Sequence, residues 1–147
     1  MQQGTTTKPP LSFWVVAILS LAWNAMGGID YTMTRLRNVD YLKSAGDPQV
    51  ILAWVDSFPV WAQIGWALGV WGSVAGSVLL LARSRHAVNA FLVSLLGALV
   101  SFGYQFSHTL PPGMDSTSGK AMPVLIMLVV VFLWQFSRKE AAHGTLR

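Results

Sequence analysis

The fold is decided by residues 60–107, which read VWAQIGWALGVWGSVAGSVLLLARSRHAVNAFLVSLLGALVSFGYQFS. Two apolar stretches flank the charged tripeptide Arg83-Ser84-Arg85. Each stretch has about the 20 residues that a helix needs to cross the hydrocarbon core of a bilayer. Three residues allow only a tight turn, so the segment predicts two neighbouring transmembrane helices that run in opposite directions.

Two further apolar stretches lie on either side of this pair. The four spans are predicted at about 11–33, 59–82, 86–107 and 121–137, between cytoplasmic tails at 1–10 and 139–147. The sequence therefore predicts an all-α, up-down-up-down bundle of four transmembrane helices. A cleaved signal peptide is the alternative for the first span, but Trp23, Asn24 and Met26 interrupt its small residues, which favours a retained helix. Residues Ala141 to Arg147 are expected to fray.

The composition points to lipid as the solvent of most of the chain. Charged residues make up 11% and hydrophobic residues 53%, whereas a soluble domain carries roughly a quarter charged residues. Seven tryptophans suit the boundary between acyl chains and headgroups. The net charge of +4 is scattered, which argues against nucleic acid and favours a bilayer as partner. The absence of cysteine excludes disulfides and thiolate metal sites.

Between the first two spans, the polar segment 34–57 contains the start signal of a short helix. Asp47 offers a capping carboxylate, and Pro48 suits the first helical position. The apolar residues that follow at helical spacing are Val50, Ile51, Trp54, Val55 and Phe58. They predict an amphipathic helix on the membrane surface. A loop helix packed on the end of the bundle fits the same pattern.

The distribution of lysine and arginine predicts the orientation. One side of the predicted bundle carries Lys8, Arg83, Arg85, Arg138, Lys139 and Arg147, and the other carries Arg35, Arg37, Lys43 and Lys120. Basic residues in short flanks favour the cytoplasmic side. Both termini are therefore expected in the cytoplasm, and the protein in a bacterial inner membrane.

Small residues form a strip along the second span. Gly65, Gly69, Gly72 and Gly76 are spaced four, three and four apart, so they share one helical face. Because lipid provides no hydrophobic drive between helices, such faces promote close packing. We expect a helix-packing seam inside the bundle, while dimerisation through the same face is the alternative. A matching stripe on the third span comprises Ser94, Gly97, Ser101, Gln105 and His108.

Polar residues at similar depth, towards the outer ends of the spans, predict a small outward-facing pocket. Its candidate ligand-binding residues are Asn24, Asp30, Gln63, Trp66, Tyr104, Gln105 and His108. Ionisable residues inside a membrane are candidates for function, and Asp30 with His108 would form a proton-linked pair. The alternative is that Asp30 and His108 lie in the hydrated headgroup region, while the side-chain amides of Asn24, Gln63 and Gln105 form hydrogen bonds between helices.

The motifs of several chemistries are missing from the sequence. His86 and His108 are 22 positions apart on one predicted helix, roughly 33 Å at 1.5 Å per residue, so they cannot clamp one haem. There is no glycine-rich phosphate loop and no His-Glu-x-x-His zinc motif. We predict no cofactor, no metal and no catalytic residues.

Three short segments carry a resemblance to known proteins: FWVV at 13–16, WNAMG at 23–27 and FPVW at 58–61. They resemble a group of small bacterial inner-membrane proteins with four predicted helices, broadly DoxX-like, which often carry a "sugar transporter" label. The resemblance implies solute movement. The residues themselves favour a structural or accessory membrane subunit, partnered by a second copy or by a larger complex. A small-solute transporter or binding protein is the alternative.

Overall fold

Six helices and their connections make up the part of the chain that the computed structural model describes, residues 7–147 without the side chain of Ser118. The helices are α1 (Leu11–Arg35), α2 (Val39–Leu42), α3 (Pro48–Asp56), α4 (Val60–Leu81), α5 (His86–Ser107) and α6 (Thr117–Ala142). Within the described residues, four helices, α1, α4, α5 and α6, are long and apolar enough to cross a membrane. Positions 1–6 of the predicted N-terminal tail lie outside that part.

The ends of α1, α4 and α6 are closed by the same backbone motif. In each case the residue after the cap has a positive φ: Arg37 (56°), Arg83 (56°) and Gly144 (78°). The next residue donates its N–H to the carbonyl five positions back, as when Ser84 bonds Leu79 at 2.8 Å. This Schellman arrangement satisfies carbonyls that a helix end leaves free. Glycine adopts such a φ at no steric cost, whereas the two arginines do so under strain.

Helix α6 extends beyond the predicted span at both ends. The side chain of Ser116 accepts a hydrogen bond from the N–H of Gly119 and starts the helix at Thr117. Pro123 lies inside α6, as membrane helices tolerate. The polar cluster from Ser137 does not end the helix, because its backbone bonds continue until Gly144 supplies the left-handed turn.

The long helices pack in sequence-adjacent pairs. The closest pair is α4 with α5, which the Arg83–Arg85 turn joins, while α1 packs on α4 and α6 packs on α5. A buried cluster from all four helices lies at the end of the molecule that holds this turn. Its members are Phe13, Ala17, Leu80, Ala87, Phe91, Leu133 and Leu146. The main apolar core is therefore at one end of the long helices.

The C-terminus is held against this core rather than frayed, which corrects the sequence expectation. Leu146 is only 1% exposed. The N–H of Arg147 donates to the carbonyl of Arg83 at 2.7 Å, and the N–H of Arg85 donates to the carbonyl of Arg147 at 2.8 Å. Arg83 Nε also donates to the carbonyl of Thr145 at 3.0 Å. The turn thus offers two donors, the N–H of Arg85 and the Nε of Arg83, and one acceptor, the carbonyl of Arg83, to the C-terminal residues. A local sequence pattern does not predict these contacts.

At the opposite end, α2 and α3 connect α1 to α4. The predicted start of α3 is confirmed, since Asp47 accepts a hydrogen bond from the N–H of Gln49 at 2.9 Å and Pro48 follows the cap. Leu52 of α3 is buried. The ring of Trp54 lies 5.4 Å from that of Phe58. These contacts hold α3 close to the ends of the long helices.

Candidate functional site

The glycines of α4 lie against α5. A Cβ atom built on Gly65 would lie 2.9 Å from the carbonyl oxygen of Gly97, and one built on Gly72 would lie 3.0 Å from the amide nitrogen of Ser94. At Gly76 the same atom would meet the ring of Phe91 at 2.7 Å. At Gly65 and Gly72 the backbones of α4 and α5 therefore approach too closely for a side chain, while Gly76 makes room for the ring of Phe91.

A buried polar contact joins α1 to α4. Asn24 Nδ2 donates to the hydroxyl of Ser77 at 2.8 Å and to the carbonyl of Ser73 at 3.2 Å. The hydroxyl of Ser20 donates to that of Ser77 at 3.1 Å. All four residues are at least 94% buried. Asn24, predicted as part of a pocket, is thus engaged in a bond between helices.

The other residues of the predicted pocket also have separate partners. Asp30 is exposed and accepts a hydrogen bond from the hydroxyl of Tyr41 at 3.1 Å. Burial and the adjacent Asp30 carboxylate raise the pKa of Tyr41. His108 Nδ1 lies 2.8 Å from the carbonyl oxygen of Tyr104. The structure therefore does not bring Asp30 and His108 together.

An aromatic cluster surrounds Tyr104 at the end of α5. The ring of Tyr104 lies 4.1 Å from that of His108, 5.2 Å from Phe58 and 5.5 Å from Trp61. Trp66 belongs to another group, because its ring packs on Tyr31 at 4.5 Å. Gln105 Nε2 donates to Ser101 of its own helix at 3.3 Å.

Of the predicted residues, Gln63 lines a polar cleft of about 290 Å³ between the end of α1, α3 and the start of α4. Gln63 Oε1 accepts a hydrogen bond from Arg35 Nη1 at 3.2 Å, and Gln63 Nε2 donates to the carbonyl of Phe58 at 3.0 Å. The rest of the lining comprises Thr34, Arg35, Arg37, Leu52, Val55 and Asp56. This outer cleft is lined mainly by polar and charged side chains.

The charges of the outer cleft are only partly paired. Arg37 donates to both carboxylate oxygens of Asp56 at 2.9 and 3.0 Å. The hydrogen bond and the charge of Arg37 lower the pKa of Asp56, to which Arg35 also contributes. Arg35 donates to a neutral amide. Two arginines against one aspartate leave one positive charge in excess.

Sequence reasoning missed Arg35, Arg37 and Asp56 as site residues. In the sequence, the two arginines indicate only the orientation of the chain, although their position directly after a span is also typical of a site at the membrane surface. Asp56 is harder to predict as a site residue, because its ion-pair partner Arg37 lies 19 positions earlier in the chain.

A second, apolar groove follows the seam between α1 and α4. Its volume is about 300 Å³. The lining residues are Ala25, Gly28, Ile29, Thr32, Met33, Trp71 and Val74. A Cβ atom built on Gly28 would lie 3.6 Å from Trp71 and from Val74, an ordinary contact, so the small residue forms part of the groove.

Comparison with known proteins found no relative of this chain. No family model, no curated protein and no solved structure matches the chain.

Proposed function

We propose that this chain is a multi-pass protein of a bacterial inner membrane that acts as a structural or accessory subunit of a larger membrane assembly. In this proposal the four long helices form an up-down-up-down bundle with both termini in the cytoplasm. Helix α3 rests at the outer surface of the membrane, against the ends of the long helices. Four helices that are long and apolar enough to cross a membrane support a multi-pass membrane location.

The observation that carries the accessory role is the exposure of α6. Only 11% of the residues in its most apolar stretch are buried, against 28%, 28% and 33% in α1, α4 and α5. The large exposed side chains on α6 include Met122, Val124, Leu125, Leu128 and Phe132. Such a helix has most of its circumference available to a partner helix, and dispersion contacts would hold the two together.

The polar contacts inside the bundle weigh against the alternative of a solute transporter. Transporter sites lie near the middle of the bilayer and present free polar groups to a cavity. Here the buried amide of Asn24 is bonded to Ser73 and Ser77. The outer polar residues are divided between the outer cleft, the Asp30–Tyr41 hydrogen bond and the Tyr104 cluster. This division fits a packed scaffold better than a transport path.

The test is photo-crosslinking in cells followed by mass spectrometry. A benzophenone residue at Leu128 of α6 is compared with one at Leu19 of α1, since the two side chains are 62% and 63% exposed. We expect one discrete adduct with another membrane protein from position 128, and lipid adducts alone from position 19. The same protein should co-purify in a fixed molar ratio in mild detergent.

Two outcomes would overturn the accessory role. Lipid adducts alone at both positions would leave α6 without a protein partner. An adduct of position 128 with a second copy of this chain alone would assign α6 to a homo-oligomer instead.

A further inference from the structure

The apolar groove and the outer cleft lie along the same side of α1. Gly28 and Thr32 line the groove and Arg35 lines the cleft. Their offsets of four and three residues place the three on one face of the helix. From Gly28 to Arg35 the helix rises about 10 Å, at 1.5 Å per residue. An elongated molecule on this face would therefore meet apolar surface first and a positive charge one to two turns further on.

Helix α4 shows the same change from an apolar to a polar lining. Val74 and Trp71 line the groove, and Gln63 lines the cleft. Gln63 and Val74 are eleven positions apart, close to three full turns, so they also share a face. Both helices thus pass from apolar to polar in the same direction along their seam.

The depth of the cleft matches the headgroup region if α1 and α4 cross the membrane. Arg35 is the last residue of α1, and Gln63 lies in the first turn of α4. Arginine at a span end reaches the interface, where lipid phosphates lie. The groove, one to two turns deeper, then lies at the level of the acyl chains.

The excess positive charge of the outer cleft favours an anionic ligand. Arg37 is engaged with Asp56 through two hydrogen bonds, whereas Arg35 contacts only the amide oxygen of Gln63 among the bonds of its side chain that the structure describes. Guanidinium binds phosphate through charge-assisted hydrogen bonds. Gln63 is held in turn by its bond to the carbonyl of Phe58, so the partner of Arg35 has a defined position at the edge of the cleft.

We propose that the α1–α4 seam binds one anionic phospholipid, with its phosphate on Arg35 and part of an acyl chain in the groove floored by Gly28. The proposal rests on the placement of α1 and α4 in a membrane and not on the accessory role of α6. A failed crosslink at Leu128 would therefore leave it standing.

The test is native mass spectrometry of the full chain in detergent, titrated with phosphatidylglycerol and, separately, with phosphatidylcholine. We expect one tightly bound phosphatidylglycerol per chain and weaker binding of phosphatidylcholine. Arg35→Gln should weaken phosphatidylglycerol binding about ten-fold, because the loss of one charge-assisted hydrogen bond typically raises a dissociation constant by about that factor. Arg35→Lys should retain most of it. Lys43→Gln is the matched control, because Lys43 is exposed at the same end of the molecule and outside the cleft.

A second pair of variants tests the groove without altering charge. A Cβ atom on Gly28 lies 3.6 Å from Trp71 and Val74, so the longer side chain of Gly28→Leu would occupy the groove, whereas a Cβ atom on Gly27 meets nothing within 4 Å. We expect weaker phosphatidylglycerol binding in the first variant and unchanged binding in the second. This pair decides the question even where Arg35→Gln fails to fold.

Three results would overturn the proposal. Equal losses in Arg35→Gln and Lys43→Gln would indicate diffuse attraction of a basic surface. Equal behaviour of the two leucine variants would remove the acyl chain from the groove. Inorganic phosphate that binds the protein, and displaces phosphatidylglycerol at equal concentration, would identify a free anion rather than a lipid as the ligand.

Discussion

Replacement of Gly97 by alanine should destabilise the protein, while the same replacement at Gly103 should not. A Cβ atom on Gly97 would lie 2.6 Å from the carbonyl oxygen of Gly65 and 2.7 Å from the amide nitrogen of Gly69. Both are backbone atoms of α4, so relief requires that the two helices move apart. At Gly103, on the same helix, the added atom meets nothing within 4 Å.

The magnitude follows from two opposing effects. Alanine is favoured over glycine inside a helix by about 1 kcal/mol, and this gain applies to both variants. Overpacking of a close contact costs about 1–3 kcal/mol, and this loss applies to Gly97→Ala alone. Gly103→Ala should therefore stabilise the protein by up to about 1 kcal/mol, and Gly97→Ala should destabilise it by up to about 2 kcal/mol. The free energies of unfolding of the two variants should differ by about 1–3 kcal/mol.

The assay is reversible unfolding in mixed micelles, followed by circular dichroism as the mole fraction of SDS rises. Gly97→Ala should unfold at a lower SDS fraction than wild type, and Gly103→Ala at the same or a higher one. Coincident curves for the two variants would refute the close approach of α4 and α5 at Gly97.

Three other predictions follow from single contacts. In a double-mutant cycle, Asn24→Ala and Ser77→Ala should couple by about 0.6–1.7 kcal/mol in SDS unfolding, and additive effects would contradict their hydrogen bond. Leu146→Ala should cost about 2–5 kcal/mol in the same assay because the side chain is buried; a loss below 0.5 kcal/mol, about the size of a surface substitution, would mean that the chain end is free. Asp56 has a lowered pKa in the folded protein, so its ion pair stabilises the attachment of α3 above the pKa of the unfolded chain and is lost as pH falls through the lower folded pKa. In an NMR titration Arg37→Gln should raise the pKa of Asp56 towards its ordinary value, and an unchanged pKa would contradict the pairing.

The long helices could be predicted from the sequence because their signal is local. Twenty consecutive apolar residues determine a span whatever the rest of the chain does. The cap at Asp47 was equally accessible, since the bonded N–H lies two residues away. The extension of α6 past Ser137 does not follow from hydropathy, because polar side chains fit both a helix end and a helix that continues into water.

The site residues were harder to predict because their contacts join distant parts of the chain. Asn24 and Ser77 are 53 positions apart, and Arg37 and Asp56 are 19 apart. Helical periodicity gives the face on which a residue lies but not the neighbour that this face meets. The partners of Asp30 and His108 depended on the position of Tyr41 and on the end of α5, and neither follows from hydropathy.

The closed C-terminus shows the same limit. Gly144 predicts from the sequence that α6 ends there, but it does not predict where the following residues lie. In the structure Leu146 enters the core and Arg147 bonds the Arg83–Arg85 turn. A turn of three residues and a tail of five therefore stabilise one another, although more than 60 positions of the chain separate them.

The central claim, a chain threaded four times through the membrane, is tested most directly by labelling of single cysteines. The native chain has no cysteine, so Ser44→Cys and His143→Cys each create one reactive thiol at an exposed position. In intact cells, a membrane-impermeant maleimide should label Ser44→Cys, and should label His143→Cys only after the membrane is permeabilised. Labelling of His143→Cys in intact cells, or protection of Ser44→Cys, would contradict the threading.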